Sequence, residues 1–153
     1  MARRRYWHEV AGHNFRLTNL QAAIGCAQLE NLPRIAAERK RVHRSYETRL
    51  RSTSGVRAQH FDAEIDPVLW AMAIQLDPAA YPQGRDHVSM AMADAGIETR
   101  PGFYAASTIP LYDCAPLPVA EHLSQNVISL PTYPTLADDQ INRICDELAA
   151  LRR

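Results

Sequence analysis

Gly12-His13-Asn14-Phe15-Arg16-Leu17-Thr18-Asn19-Leu20-Gln21-Ala22-Ala23-Ile24-Gly25 is the stretch from which the rest of this chain can be read. In its second half Leu20, Ala23 and Ile24, continued by Ala27, recur at the spacing of one helix face. That spacing predicts an amphipathic helix over residues 18–31. Thr18 suits its N-cap, and Gln21, three residues on, suits the return partner of a capping box. Gly25 inside such a helix costs about 1 kcal/mol relative to alanine. A glycine there predicts that another backbone comes close.

Reading outward, Pro33 fits the first turn of a second helix over 33–51. Ile35, Val42, Tyr46 and Leu50 give it a thin apolar stripe; Glu38, Arg39, Lys40, Arg41 and Arg44 cover the remainder. Gly55 opens an expected strand over 56–61. The apolar run over 68–76 has the length and bulk of a buried strand. Asp77-Pro78 and Tyr81-Pro82-Gln83-Gly84 are turn chemistry. A helix is expected over 85–95, with Val88, Met90, Met92 and Ala95 partly buried, ended by Gly96. A short strand over 97–100 should stop at Pro101. Residues 102–118 have no period and read as a long loop, a kind of segment that often carries function. A short helix over 119–125 and a strand over 126–130 follow. Thr135 is expected to cap a last helix, with Asp138 and Asp139 at its positive end and Ile141, Ile144, Cys145, Leu148 and Leu151 inward. The sum is an α+β fold: long helices plus a small, mostly antiparallel sheet.

With 153 residues, 46% of them hydrophobic, the chain can bury a core. No apolar run reaches membrane-spanning length, and the basic start reads as no secretory signal. Cys26, Cys114 and Cys145 are odd in number and far apart, which predicts reduced thiols and a cytoplasmic setting over a disulfide framework. Net charge is zero, yet residues 1–60 hold twelve Lys/Arg against four Asp/Glu, and the remainder five against thirteen. Either the basic helix lies against its own acidic half or a neighbour's, or it forms a patch for the phosphate groups of a nucleic acid or a nucleotide sugar. Six histidines form no metal-ligating pattern. There is no nucleophile elbow, P-loop or dinucleotide fingerprint.

Residues 6–16, 20–30, 96–104 and 128–134, taken in that order, resemble the DegT/DnrJ/StrS-type pyridoxal-phosphate sugar aminotransferases (perosamine synthetase-like). Tyr6-Trp7-His8-Glu9-Val10 with Gly12-His13-Asn14-Phe15-Arg16 is similar to the family's Gly-x-Asn-Tyr-Arg turn and its approach. Leu20 to Gly25, then Gln28-Leu29-Glu30, is similar to the helix after it. Gly96-Ile97-Glu98-Thr99-Arg100-Pro101 with Phe103-Tyr104 is similar to the loop bordering the sugar site. Ile128-Ser129-Leu130-Pro131-Thr132-Tyr133-Pro134 is similar to the closing strand and turn.

The resemblance implies the C-terminal portion of such an enzyme. Residues 1–52 would end the large domain with the cofactor loop and linking helices, and 53–153 would be the small C-terminal α+β domain. It implies pyridoxal phosphate in the intact enzyme and a nucleotide-sugar substrate. It also implies a homo-oligomer, or a missing N-terminal half. Asn14, with Arg16 nearby, would reach the cofactor phosphate of the partner subunit, an amide and a guanidinium suiting its oxygens; the bland alternative is a turn asparagine and a surface ion pair. Arg100, Phe103 and Tyr104 would line the substrate side, or Phe103 and Tyr104 would simply fill core. His13 and Ser107 would join them on the substrate side, standing where relatives commonly carry an aromatic and a histidine, respectively. A serine there can hydrogen-bond a sugar hydroxyl but cannot titrate near neutrality.

The cofactor's chemistry needs a lysine amine as covalent anchor. The chain holds one lysine, Lys40, in the charged run Glu38-Arg39-Lys40-Arg41, a face expected to be solvated. Lys40 is therefore rejected for the role, no catalytic residue is assigned, and the chain alone is expected to be inactive. The competing reading is a catalytically silent module that self-associates through exposed Trp7, Leu20 and Ile24. A basic nucleic-acid-binding domain stands further off, since no docking motif accompanies the charge.

Overall fold

The computed structural model describes Trp7, residues 9–12 and residues 15–153. The helix over the opening stretch is present as α1 (Asn19–Glu30). Thr18 caps it: the Gln21 N–H donates to the Thr18 hydroxyl at 3.3 Å, and the Thr18 N–H donates to the Gln21 side-chain oxygen at 2.8 Å. No residue of α1 is buried. A Cβ added at Gly25 would meet nothing within 4 Å, so the close backbone approach expected there is not made among the described residues.

α2 (Leu32–Leu50) follows after one residue, with Pro33 in its first turn. It buries Val42, His43, Tyr46 and Leu50. The sheet has the order β1-β2-β4-β3, every pairing antiparallel, built from β1 (Val56–Ala58), β2 (Met72–Leu76), β3 (Arg100–Pro101) and β4 (Val127–Leu130). Alternation puts Met72, Ile74 and Leu76 of β2, with Ile128 and Leu130 of β4, on one face. That face meets Val42 and Tyr46 of α2, Val88 and Met92 of α3 (Gly84–Asp94), and Ile141, Ile144 and Leu148 of α5 (Asp138–Ala150) in a single core. Fully burying one such side chain contributes about 1.5–3 kcal/mol. α4 (Pro118–Asn126) leads directly into β4.

Three basic residues of α2 pair with the acidic part of the chain. Arg41 pairs with Asp138 at 3.2 Å and Lys40 with Asp66 at 2.6 Å, and Arg49 pairs with Asp146. α3 ends in a Schellman motif: Gly96, at φ +76°, donates to the Ala93 carbonyl, and Ile97 donates to that of Met92, each at 2.8 Å.

Several expected boundaries move, each for a visible reason. Only Met72–Leu76 of the 68–76 run pairs in the sheet; the Trp70 N–H turns back to the Val68 carbonyl at 3.1 Å, and the Leu69 and Trp70 carbonyls are taken by Arg39. β1 stops at Ala58, opposite Ile74, and the residues after it leave the sheet. β3 does not stop before Pro101: the proline pairs with Ile128 on the sheet edge, where its missing N–H costs nothing. Met90 is 64% exposed, since Val88 and Met92, four apart, define the inner face of α3. Thr135 is not a cap. Leu136 is buried and its carbonyl accepts from Arg41 at 2.8 Å, so α5 starts after Ala137, whose N–H donates to Gln140 at 3.1 Å.

Candidate functional site

A cavity of about 1080 Å³ runs from the outer face of β2 and β4, at Ala73, Val127 and Ser129, around the β3 edge to the rim of the core at Ile97, Leu130, Leu136 and Ile144. Arg39 and His43 of α2, the 68–71 segment with Trp70, and the 102–106 loop with Phe103 and Tyr104 all line it. Gly102 brings the loop against β4: it donates to the Val127 carbonyl at 2.8 Å, and a Cβ there would stand 3.1 Å from that of Val127. A side chain at Gly102 would require Val127 or the loop to give by a few tenths of an ångström.

Of the residues read from sequence, the cavity gathers Arg100, Phe103 and Tyr104. Arg100 is exposed on β3, with its Nε 4.0 Å from Glu98, so its charge is partly balanced. Phe103 is 62% exposed, too open to be core filling. Tyr104 is half-buried, with Trp7 standing edge-on to it at 5.4 Å. Trp7 is therefore not the open apolar surface expected of it; Leu20 and Ile24 are, at 73% and 57% exposed. Arg16 is exposed and is not part of the cavity wall. His13 and Asn14 lie outside the described residues. Ser107 sits in a 3-10 turn (Ala106–Thr108), next to Ala106 of the cavity wall but not itself lining it, and donates its hydroxyl proton to Glu121 at 2.5 Å. What remains to it is acceptor capacity.

Sequence reasoning missed Trp70, Arg39 and His43. Trp70 shares parity with Met72 and Ile74, so alternation along a strand would have buried it; the chain turns at Val68 and leaves it 58% exposed. His43 is 7% exposed, tilted against Phe61 at 6.2 Å, with Nδ1 3.7 Å from Glu47. Burial pushes its pKa below the ordinary histidine value, and Glu47 offsets this in part. Its place on the inner side of a helix dense in charge gave no signal in the sequence. Among the described residues no group of His, Cys, Asp and Glu could hold a metal ion, and no helix is long and apolar enough to cross a membrane.

This architecture is that of solved sugar aminotransferases. Helicobacter pylori PseC, an aminotransferase involved in the biosynthesis of pseudoaminic acid, superposes with a TM-score of 0.80 at 20% identity, over 99% of this chain and 42% of its own. The DegT/DnrJ/EryC1/StrS aminotransferase family profile matches residues 1–149, and the chain belongs to that family. It is 34% identical over 147 residues to the GDP-perosamine synthase of Escherichia coli O157:H7, covering 95% of this chain and 39% of the relative. To the GDP-perosamine synthase of Caulobacter vibrioides it is 35% identical over 145 residues, covering 92% and 39%. The chain thus spans about two fifths of the length of the curated relatives it matches.

Proposed function

We propose that this chain is the C-terminal portion of a pyridoxal-phosphate-dependent nucleotide-sugar aminotransferase, which moves an amino group from a donor such as glutamate to a keto-deoxy sugar. In this reading residues 1–52 close the large domain and 53–153 form the small one. α2 ties the two, because its inner face joins the common core. The observation that carries the reading is the convergence of Arg100, Phe103 and Tyr104 on one cavity in a chain of this family. A guanidinium suits the diphosphate of a nucleotide sugar, and exposed rings suit a sugar face or a base. Ser107 would shape the loop through Glu121 and offer only an acceptor to substrate.

The described residues fit a flanking role toward the cofactor and not the role of its anchor. Arg16, exposed, has the donors a phosphate requires, and Asn14, two residues before it in the sequence and outside the described residues, has them by its residue type. Lys40 is held by Asp66 at 2.6 Å, is 41% exposed and does not line the cavity. A nucleophilic amine needs a desolvated pocket, and a side chain this exposed does not have one among the described residues. When bound, the cofactor supplies the electron sink for amino transfer; this chain's own share is to bind and orient. Titration with a nucleoside diphosphate sugar, followed calorimetrically, tests this: saturable binding weakened in Arg100→Ala is expected, and unchanged binding sinks the reading. Borohydride reduction with pyridoxal phosphate should leave Lys40 unlabelled in mass spectra.

A second reading, a module that self-associates, rests on α1. Leu20, Ile24 and Leu29 stand 73%, 57% and 69% exposed on a helix with no buried residue. Sedimentation at micromolar concentration should show concentration-dependent association that Ile24→Glu abolishes; a monodisperse monomer excludes it.

A further inference from the structure

Arg39 is held by one of its guanidinium nitrogens and open at the others. Nη1 donates to the carbonyls of Leu69 at 3.4 Å, Trp70 at 2.9 Å and Thr132 at 3.3 Å. The Thr132 hydroxyl donates to the same Trp70 carbonyl at 3.1 Å, closing the cluster. These bonds fix the plane of the guanidinium against two segments of chain. Its Nε and Nη2 have no partner among the described residues, and neither is a buried orphan; Arg49 Nε is the buried atom left unpartnered there. No described carboxylate pairs with Arg39. By contrast, Arg100 faces Glu98 at 4.0 Å and Arg143 donates to the Ala95 carbonyl at 2.5 Å.

Nε–H and the adjacent Nη2–H form the side-on edge of a guanidinium, two parallel donors matched to two oxygens of one anion. In Arg39 that edge belongs to a side chain on the cavity wall, half-buried, uncompensated in charge and already oriented. We propose that the Nε–Nη2 edge of Arg39 is a bidentate seat for an oxyanion, a carboxylate or a phosphate, at the α2 wall of the cavity. The orientation set through Nη1 lowers the ordering entropy that anion binding would otherwise cost. The charges nearest in the sequence leave the seat positive. Lys40 is matched by Asp66, and Glu38 by Arg41. The proposal does not depend on the amino-transfer reading, because any oxyanion of the right span meets the same two donors.

Trp70, 58% exposed in the same wall and bonded through its carbonyl to Arg39, is the reporter. In a Trp7→Phe background Trp70 is the remaining tryptophan, and its emission is followed during titration with inorganic pyrophosphate and, separately, with glutarate. Saturation by pyrophosphate alone assigns the seat to phosphate, by glutarate alone to carboxylate, and by both to oxyanions generally. Arg39→Lys, which keeps the charge and loses the fork, should bind at least about tenfold more weakly, while Arg44→Lys should bind as the parent does. In the parent, the Nε–H resonance of Arg39 should shift along the same saturation curve. The proposal is overturned by no saturation with either anion, by equal affinity in Arg39→Lys, or by an unmoved Nε–H resonance.

Discussion

Ser107 and Glu121 are joined across the irregular segment between the 3-10 turn and α4: the serine hydroxyl donates to Glu121 Oε1 at 2.5 Å, and the Leu117 N–H reaches the same oxygen at 2.9 Å. One carboxylate oxygen thereby fastens the aromatic loop to the start of α4. These two bonds, the hydroxyl's being the larger influence, hold the Glu121 carboxyl below its ordinary pKa. A carboxyl depressed on folding supports the folded loop above its ordinary value and loses that support as pH falls through the folded value. Amide exchange at Leu117 should therefore accelerate, beyond its intrinsic pH trend, as pH drops below the ordinary value of 4.5. In Glu121→Gln the extra acceleration should vanish, because nothing titrates.

His43 predicts an effect at milder acidity. Its burial favours the neutral ring, so its folded pKa lies below the ordinary 6.5. The unfolded chain then binds the proton first, and stability falls as pH drops below 6.5 toward the folded value. Urea midpoints measured between neutral pH and mild acid should decline in the parent and flatten in His43→Phe, which keeps a ring beside Phe61. An equal decline in both would assign the effect elsewhere.

The three thiols should separate by reactivity. Cys26 and Cys114 are exposed, whereas Cys145 is buried on α5 with its pKa pushed up to about 11 by desolvation. At neutral pH a thiol reagent should label two residues promptly and the third only on unfolding. Mass mapping of early product should find Cys145 unmodified.

Two substitutions measure the fold itself. Gly55 sits at φ +80°, and a Cβ there would lie 2.2 Å from that of Ala80. Gly55→Ala therefore meets both backbone strain and overpacking, each on the order of 1–3 kcal/mol. Leu148→Ala empties a fully buried position of α5 and should cost about 2–5 kcal/mol. Both should lower the melting temperature without changing far-UV dichroism at low temperature.

The helices were legible because their signals are local: the Thr18–Gln21 box, Pro33 in a first turn, Gly96 past the end of α3. The inner residues of α5 followed from spacing alone. Where reading failed, a distant side chain decided. Arg39 and the turn at Val68 took 68–71 out of the sheet, and Arg41 with buried Leu136 delayed α5 past Thr135. Arg100, Phe103 and Tyr104 were named through the resemblance of their segment to a family loop, and all three line the cavity. Trp70 and His43 were not, since the cavity joins them only through the fold. The place of Ser107 against Glu121, fourteen residues apart, had no periodic signature.

α1 closes its first turn with its own side chains and buries none of its twelve residues. A helix that short is marginal in water without tertiary support, so its coil and helical forms lie close in free energy. Any surface that seats Leu20 and Ile24 would shift that balance while it binds. Docking and winding would then be one equilibrium, and the amide protons of α1 would slow only when a partner is present.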